Sequence, residues 1–205
     1  MSRVSFTKVE NAASVVWTQL YFGLGFTTLA TLILELTLTR IFSVVFYYHF
    51  AFLAISVALF GLGAGGVFSY LVSSWPGNLW ARLGWLALGN SFAVIAALWF
   101  ILSRAGMVGN VTLALVYFAA AIPFFLAGAV VSIAISQAVE RVDRAYFFDL
   151  TGAAAGCLLL IPFLNLFGGP NTVLAAGAIY AISAAIWFLP SRAGSSVLQR
   201  CNGSR

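Results

Sequence analysis

Charge is what this sequence has least of. Charged side chains make up 7% of the 205 residues, and only five of them are acidic. Soluble globular proteins carry about 25% charged residues, so the composition excludes an ordinary water-soluble domain. The chain has only two cysteines and one histidine. These are too few for a disulfide framework or a structural metal site, and they make a nucleophile with its base improbable. We therefore expect a protein that is not an enzyme and has no metal or other cofactor.

Long apolar runs take the place of the missing charge. Hydrophobic residues make up 62% of the chain, and its mean hydropathy is +1.04. About 20 helical residues cross the hydrocarbon layer of a bilayer, and six runs are long enough: 16–38, 49–72, 79–102, 111–138, 145–167 and 172–189. The sequence thus predicts an all-α integral membrane six-helix bundle. Its transmembrane domain is 16–190, between an N-terminal segment 1–15 and a basic tail 191–205.

The few basic residues predict the orientation of the bundle. With six crossings, Arg40 and Arg104 lie on one side of the membrane, and the other eight cations lie on the side that holds both termini. Lysine and arginine are enriched in cytoplasmic loops, so we expect both termini in the cytoplasm and a bacterial inner-membrane location. The basic residues that give the net charge of +5 then lie at the phospholipid headgroups. We therefore expect bound lipid, and not nucleic acid, as a partner.

Polar residues recur every four positions in the first apolar run, at Thr27, Thr31, Glu35 and Thr39. Residues four apart share one face of a helix. A carboxylate at the bilayer centre costs roughly 2.5 to 3.5 kcal/mol on insertion scales, so Glu35 is expected to face protein or a water-filled cavity.

Arg40 and His49 follow Glu35 at the same end of the first run. The three side chains form either a structural cluster that fixes the first connection or a relay for protons or solute. Direct pairing of Glu35 with Arg40 requires the helix to end near Thr39, because the two residues lie about 140° apart around an ideal helix. A further hypothesis makes His49 the axial ligand of a haem or chlorophyll.

Asp149 lies one turn into the fifth run, near Arg141 and Arg144. The positive end of the helix dipole favours an anion there. We expect Asp149 to pair with one of the two arginines and to anchor that end of the helix.

Small residues are spaced for close packing of helices. Gly61 and Gly65 form one GxxxG pair and Gly152 and Gly156 form another, while Gly177 begins a small-residue ridge in the sixth run. Such residues let helix backbones approach in a membrane. They predict packing within the chain or docking against another subunit.

Three segments together resemble a known family: LELTLTR at 34–40, ALFGLGAGG at 58–66 and YFFDLTGAAAG at 146–156. They are similar to the membrane half of bacterial fused spermidine-synthase-like proteins, described as half of a major-facilitator transporter joined to an aminopropyltransferase-like domain. The resemblance implies a six-helix fold whose framework positions are Glu35, Arg40, Asp149, Gly152 and Gly156. The glycine-rich turn of a synthase domain does not occur before Arg205, so no transferase activity is implied.

Three functions agree with these features. The sequence favours the first, a non-enzymatic accessory or scaffold subunit that docks beside other membrane subunits. The second is a half-transporter that pairs with a second copy and moves a small, cationic solute such as a polyamine. The third is a membrane anchor for a separate cytoplasmic enzyme. A polar cavity discriminates between the first two, since a transporter exposes Glu35 to water and a scaffold seals it with Arg40 or His49.

Overall fold

The computed structural model describes the backbone of residues 3–45, 49–73, 78–104 and 109–202, with side chains at 17–45, 52–71, 78–104, 109 and 111–189. Five α-helices follow one another: α1 (Arg3–Val45), α2 (His49–Ser73), α3 (Leu79–Ser103), α4 (Asn110–Gln137) and α5 (Val142–Asn202), with a 3-10 turn at Val139–Arg141 before the last. All regular structure in these residues is helical, which confirms the all-α class. Each of the five helices is long and apolar enough to cross a membrane.

The longest helix, α5, is interrupted at Gly168. Its φ of 73° and ψ of 173° are not helical, and this region of backbone conformation is essentially restricted to glycine. A straight helix would place Phe148 and Trp187 about 58 Å apart. Both nevertheless contact residues 23–25 of α1. The helix therefore folds back on itself at Gly168.

The two arms of α5, 142–167 and 169–202, pack against opposite sides of α1. The first arm runs parallel to α1, because Gly152 lies against the carbonyl of Gly25 and Gly156 lies against that of Leu29, one turn further on both helices. The second arm runs antiparallel to α1, starting beside Ile41. The sequence-based boundary of the first crossing differs from the structure: the run was predicted to end at 38, whereas α1 continues to Val45.

Two clusters of buried side chains define the two ends of the bundle. One cluster includes Leu20, Leu83, Ile133, Ala145 and Trp187; we refer to it as the Arg82 end. The other includes Ile41, Ala54, Ile101, Tyr117 and Val173; we refer to it as the Arg40 end. From these positions α1, α3 and the first arm of α5 run from the Arg82 end to the Arg40 end. The helices α2 and α4 and the second arm of α5 run in the opposite direction.

The helices α2 and α4 form a second parallel pair, and their backbones are in direct contact. A Cβ added to Gly65 would overlap the carbonyl oxygen of Phe125 and lie 2.8 Å from the nitrogen of Ala129, and one added to Gly61 would lie 2.9 Å from the oxygen of Ala121. Because lipid gives no hydrophobic drive for association, such close backbone contact supplies the packing energy.

The predicted packing glycines thus divide into two groups. Gly61, Gly65, Gly152 and Gly156 lie at contacts within the chain that leave no room for a methyl group. A Cβ on Gly177 would instead lie 3.6 Å from Val94, which is ordinary van der Waals contact.

Candidate functional site

An open groove of about 610 Å³ lies between the pair formed by α1 and the first arm of α5 and the pair formed by α2 and α4. Gly66 on α2 and Gly128 on α4 are among the residues that line it. The lining residues are Thr28, Thr31, Leu32, Leu62, Gly66, Gly128, Val131, Ser132, Ile135, Ser136 and Asp149. The groove therefore presents one carboxylate and several hydroxyls on an otherwise apolar wall.

Asp149 is the charged group of the groove. Its Oδ1 accepts a hydrogen bond of 2.5 Å from the Thr28 hydroxyl, and this hydroxyl also lies 3.0 Å from the carbonyl of Leu24. A carboxylate has about four acceptor sites, whereas Thr28 has one hydrogen to donate. Among the described residues Asp149 thus keeps acceptor capacity for another donor.

The expected ion pair between Asp149 and Arg141 or Arg144 is wrong for the part of the chain that the structure describes. The guanidinium of Arg141 lies 5.2 Å from the centre of the Trp17 ring, a cation–π contact. Arg144 lies five residues before Asp149 on α5, and five residues place the two side chains about 140° apart around the helix. Arg144 is exposed to the surroundings of the bundle.

The remaining hydroxyls of the groove are bonded within the bundle. Ser132 on α4 lies 2.7 Å from Ser69 on α2, Ser136 donates to the carbonyl of Ile133, and Thr31 bonds to Tyr180 at 2.8 Å. Asp149 is consequently the wall residue with the most unused hydrogen-bonding capacity.

Glu35 lies on the same face of α1 as Thr28, since seven residues make nearly two turns, and it is about 10.5 Å nearer the Arg40 end. Its side chain is half-buried. Among the described residues its carboxylate makes no hydrogen bond or ion pair; Thr39 donates to its backbone oxygen at 2.8 Å. Because α1 continues through Arg40 to Val45, the geometry required for a pair between Glu35 and Arg40 is not met.

The threonine stripe predicted on α1 is largely used for internal bonds to the second arm of α5. Thr27 lies 2.8 Å from the Ser183 hydroxyl, and Thr31 is bonded to Tyr180, which is fully buried. Neither Ser183 nor Tyr180 was predicted from the sequence. Their only signal was a polar group inside an apolar run.

Thr28, Ser132 and Ser136 were also missed. Ser132 and Ser136 lie four residues apart on α4, and this spacing on one helix face was the available signal. The side chain of His49 lies outside the described residues, so its roles in a relay or as a haem or chlorophyll ligand stay predictions. No cluster of three or more potential metal ligands occurs in the described part of the chain.

Comparison with known proteins found no relative of this chain: no family model, curated protein or solved structure matches it. The resemblance to fused spermidine-synthase-like membrane proteins therefore stays a prediction from the motifs quoted above.

Proposed function

We propose that this protein is the membrane-embedded half of a carrier, and that it binds a small organic cation, such as a polyamine, in the Asp149 groove. The observation that carries the proposal is the position of Asp149 on an open wall of the bundle with only the Thr28 hydroxyl as its partner among the described residues. An intramembrane carboxylate is usually compensated by a partner or by water. An ammonium group supplies the missing charge and donors.

The size and shape of the groove support a small ligand. Ligand pockets generally measure roughly 300 to 1,000 Å³, and the groove holds about 610 Å³. Its wall combines apolar side chains with a single carboxylate, which suits one ammonium group of the ligand and the alkyl segment next to it.

A second acidic position supports movement of the cation along the bundle. Glu35 lies on the groove-facing side of α1, about 10.5 Å from Thr28 along the helix axis, and it is not neutralised by Arg40. Asp149 and Glu35 thus offer two successive binding positions between the Arg82 end and the Arg40 end.

The groove is open along one side, between the two parallel helix pairs. A second copy of the chain that faces the first around a two-fold axis would enclose it. We therefore propose a homodimer as the working unit.

We also propose six crossings with both termini in the cytoplasm of a bacterial cell. The support is the fold-back of α5 at Gly168, which gives each arm a separate passage, together with the distribution of cations. Arg82, Arg141 and Arg144 lie at the Arg82 end, against Arg40 and Arg104 at the other. Fusion of a periplasm-active reporter at residue 77 and at residue 107 tests this topology. We expect activity at 107 alone.

Spermidine is the probe for the proposed site. We expect proteoliposomes of the wild-type protein to take up radiolabelled spermidine, and Asp149→Asn to reduce binding and uptake at least tenfold, the factor for about 1.4 kcal/mol. Asp149→Glu retains part of the activity because it keeps the charge. Asp143→Asn is the matched control, since it removes an exposed carboxylate from the first turn of the same helix. Equal binding by wild type and Asp149→Asn would refute the proposal.

The accessory-subunit hypothesis is the second candidate. It is favoured by the internal bonding of the groove hydroxyls, which leaves a mainly apolar wall that a transmembrane helix of another subunit would fit. In that case spermidine uptake is undetectable for the wild type and for every variant. The wild type then purifies in mild detergent with a stoichiometric foreign subunit, and the groove-filling change Gly66→Leu releases that subunit. The anchor hypothesis depends on the segment from Glu140 to Arg144 and on the basic tail 191–205, and it stays a prediction; the side chains of the tail lie outside the described residues.

A further inference from the structure

A second cavity lies far from the groove, at the Arg40 end of the bundle. It holds about 490 Å³ and is lined by the ends of α1 and α3 and by the turn of α5. The residues that line it include two with polar side chains, Arg40 and Asn165, together with the apolar residues Val44, Leu102 and Leu164. The lining thus combines one cationic residue and one amide residue with apolar side chains.

The charge of Arg40 has no counterion among the described side chains. Glu35 is the nearest carboxylate in sequence, but it lies about 140° away around the helix. Glu10 precedes Arg40 by 30 residues on the same helix, or about 45 Å. The other three acidic residues of the chain lie at the Arg82 end: Glu140, Asp143 and Asp149.

The depth of Arg40 adds to this argument. The helix α1 continues five residues beyond it to Val45, which is about 7.5 Å along the axis, and Val44 and Val45 are exposed and apolar. In a membrane this places the backbone of Arg40 below the end of the helix, and its long side chain extends to the level of the lipid headgroups. An anion from that layer is the available partner.

We propose that this cavity binds the phosphate group of an anionic phospholipid. The planar guanidinium of Arg40 matches two phosphate oxygens in a bidentate arrangement, the Asn165 amide donates to a third acceptor, and the acyl chains lie against Val44, Leu102 and Leu164. A free phosphate ion shares the headgroup chemistry but not the contacts with acyl chains.

Native mass spectrometry of the delipidated protein in dodecylmaltoside, after addition of phosphatidylglycerol, tests the site. We expect Arg40→Gln to lower retention of the lipid at least about tenfold, the factor typical of losing a charge-assisted hydrogen bond. Arg40→Lys keeps the charge without the bidentate fork and has an intermediate effect. Asn165→Leu provides a second variant that removes a donor and leaves every charge in place.

Arg104→Gln is the matched control. Arg104 is the other cation at this end, and its guanidinium lies 5.6 Å from the centre of the Phe100 ring, outside the cavity. The proposed site is supported if Arg104→Gln retains as much phosphatidylglycerol as the wild type does. Equal losses in Arg40→Gln and Arg104→Gln, no loss in Arg40→Gln, or no retention by the wild type would overturn it.

Inorganic phosphate distinguishes the two sources of the anion. If the ligand is the lipid, phosphate alone leaves the thermal unfolding of the delipidated wild type unchanged, and phosphatidylglycerol raises its midpoint. A rise with inorganic phosphate that Arg40→Gln abolishes assigns the cavity to free phosphate and overturns the lipid proposal.

Discussion

Substitution of Gly65 by alanine tests whether α2 and α4 are held together by direct backbone contact. The added Cβ would overlap the carbonyl oxygen of Phe125 and lie 2.9 Å from the carbonyl carbon of the same residue. Favourable contacts between carbon atoms lie at about 3.5 to 4.0 Å. Because the opposing atoms belong to the backbone, they cannot rotate away, so the two helices must separate locally by roughly 1 Å, the difference between these distances.

The expected cost follows from that separation. A gap of about 0.5 to 1 Å forfeits a quarter to a half of each dispersion contact along the interface, and overpacking of a close-packed site typically costs about 1 to 3 kcal/mol. We take about 2 kcal/mol, which is a change of roughly thirtyfold in the unfolding equilibrium.

Gly63→Ala is the matched control for the intrinsic effect of alanine in a helix. Gly63 lies two residues earlier on α2, and a Cβ there meets nothing within 4 Å. Alanine favours a helix over glycine by about 1 kcal/mol in soluble hosts, and this gain is common to both variants. The difference between the two variants therefore isolates the contact with α4.

Unfolding in mixed micelles of dodecylmaltoside and SDS, followed by the fluorescence of the six tryptophans, measures the difference. Gly65→Ala should unfold at a lower SDS fraction than Gly63→Ala. The Cβ of Gly128→Ala would overlap the carbonyl of Leu62 from the α4 side. The double variant Gly65→Ala/Gly128→Ala should therefore lose less stability than the sum of the two single losses, because the first substitution already separates the helices. A Gly65→Ala protein as stable as Gly63→Ala would refute the reasoning.

The same unfolding assay tests three further sites. Tyr180→Phe removes the buried bond to Thr31, and we expect a loss of about 0.6 kcal/mol, the average for hydrogen bonds inside a membrane protein; a loss above 2 kcal/mol would point to a larger polar network. Measured against Gly63→Ala, which carries the same gain in helix propensity, Gly177→Ala should differ by less than about 0.5 kcal/mol, whereas Gly152→Ala should be less stable by about 1 to 3 kcal/mol because of overpacking against α1; equal effects would contradict the contact distances. Gly168→Ala should lose about 1 to 3 kcal/mol through backbone strain alone, since its Cβ meets no other atom within 4 Å; a neutral result would mean that the turn relaxes into another conformation.

The apolar runs determined the helical class and the membrane environment from the sequence alone. Their length and composition act locally, because each helix must satisfy its own backbone hydrogen bonds in lipid. The glycine pairs at 61 and 65 and at 152 and 156 were likewise readable, since their spacing places both members on one helix face. What the sequence did not indicate was their partners, α4 for the first pair and α1 for the second.

The tertiary structure decided which polar residues meet. Glu35 and Arg40 are near in sequence but are kept apart by the continuation of α1 to Val45. Asp149 and Thr28 are separated by 121 positions and come together because the first arm of α5 packs in parallel against α1. Local spacing therefore specifies the helices and their faces. The chemistry of the groove arises only from how distant helices are brought into register by close backbone contacts.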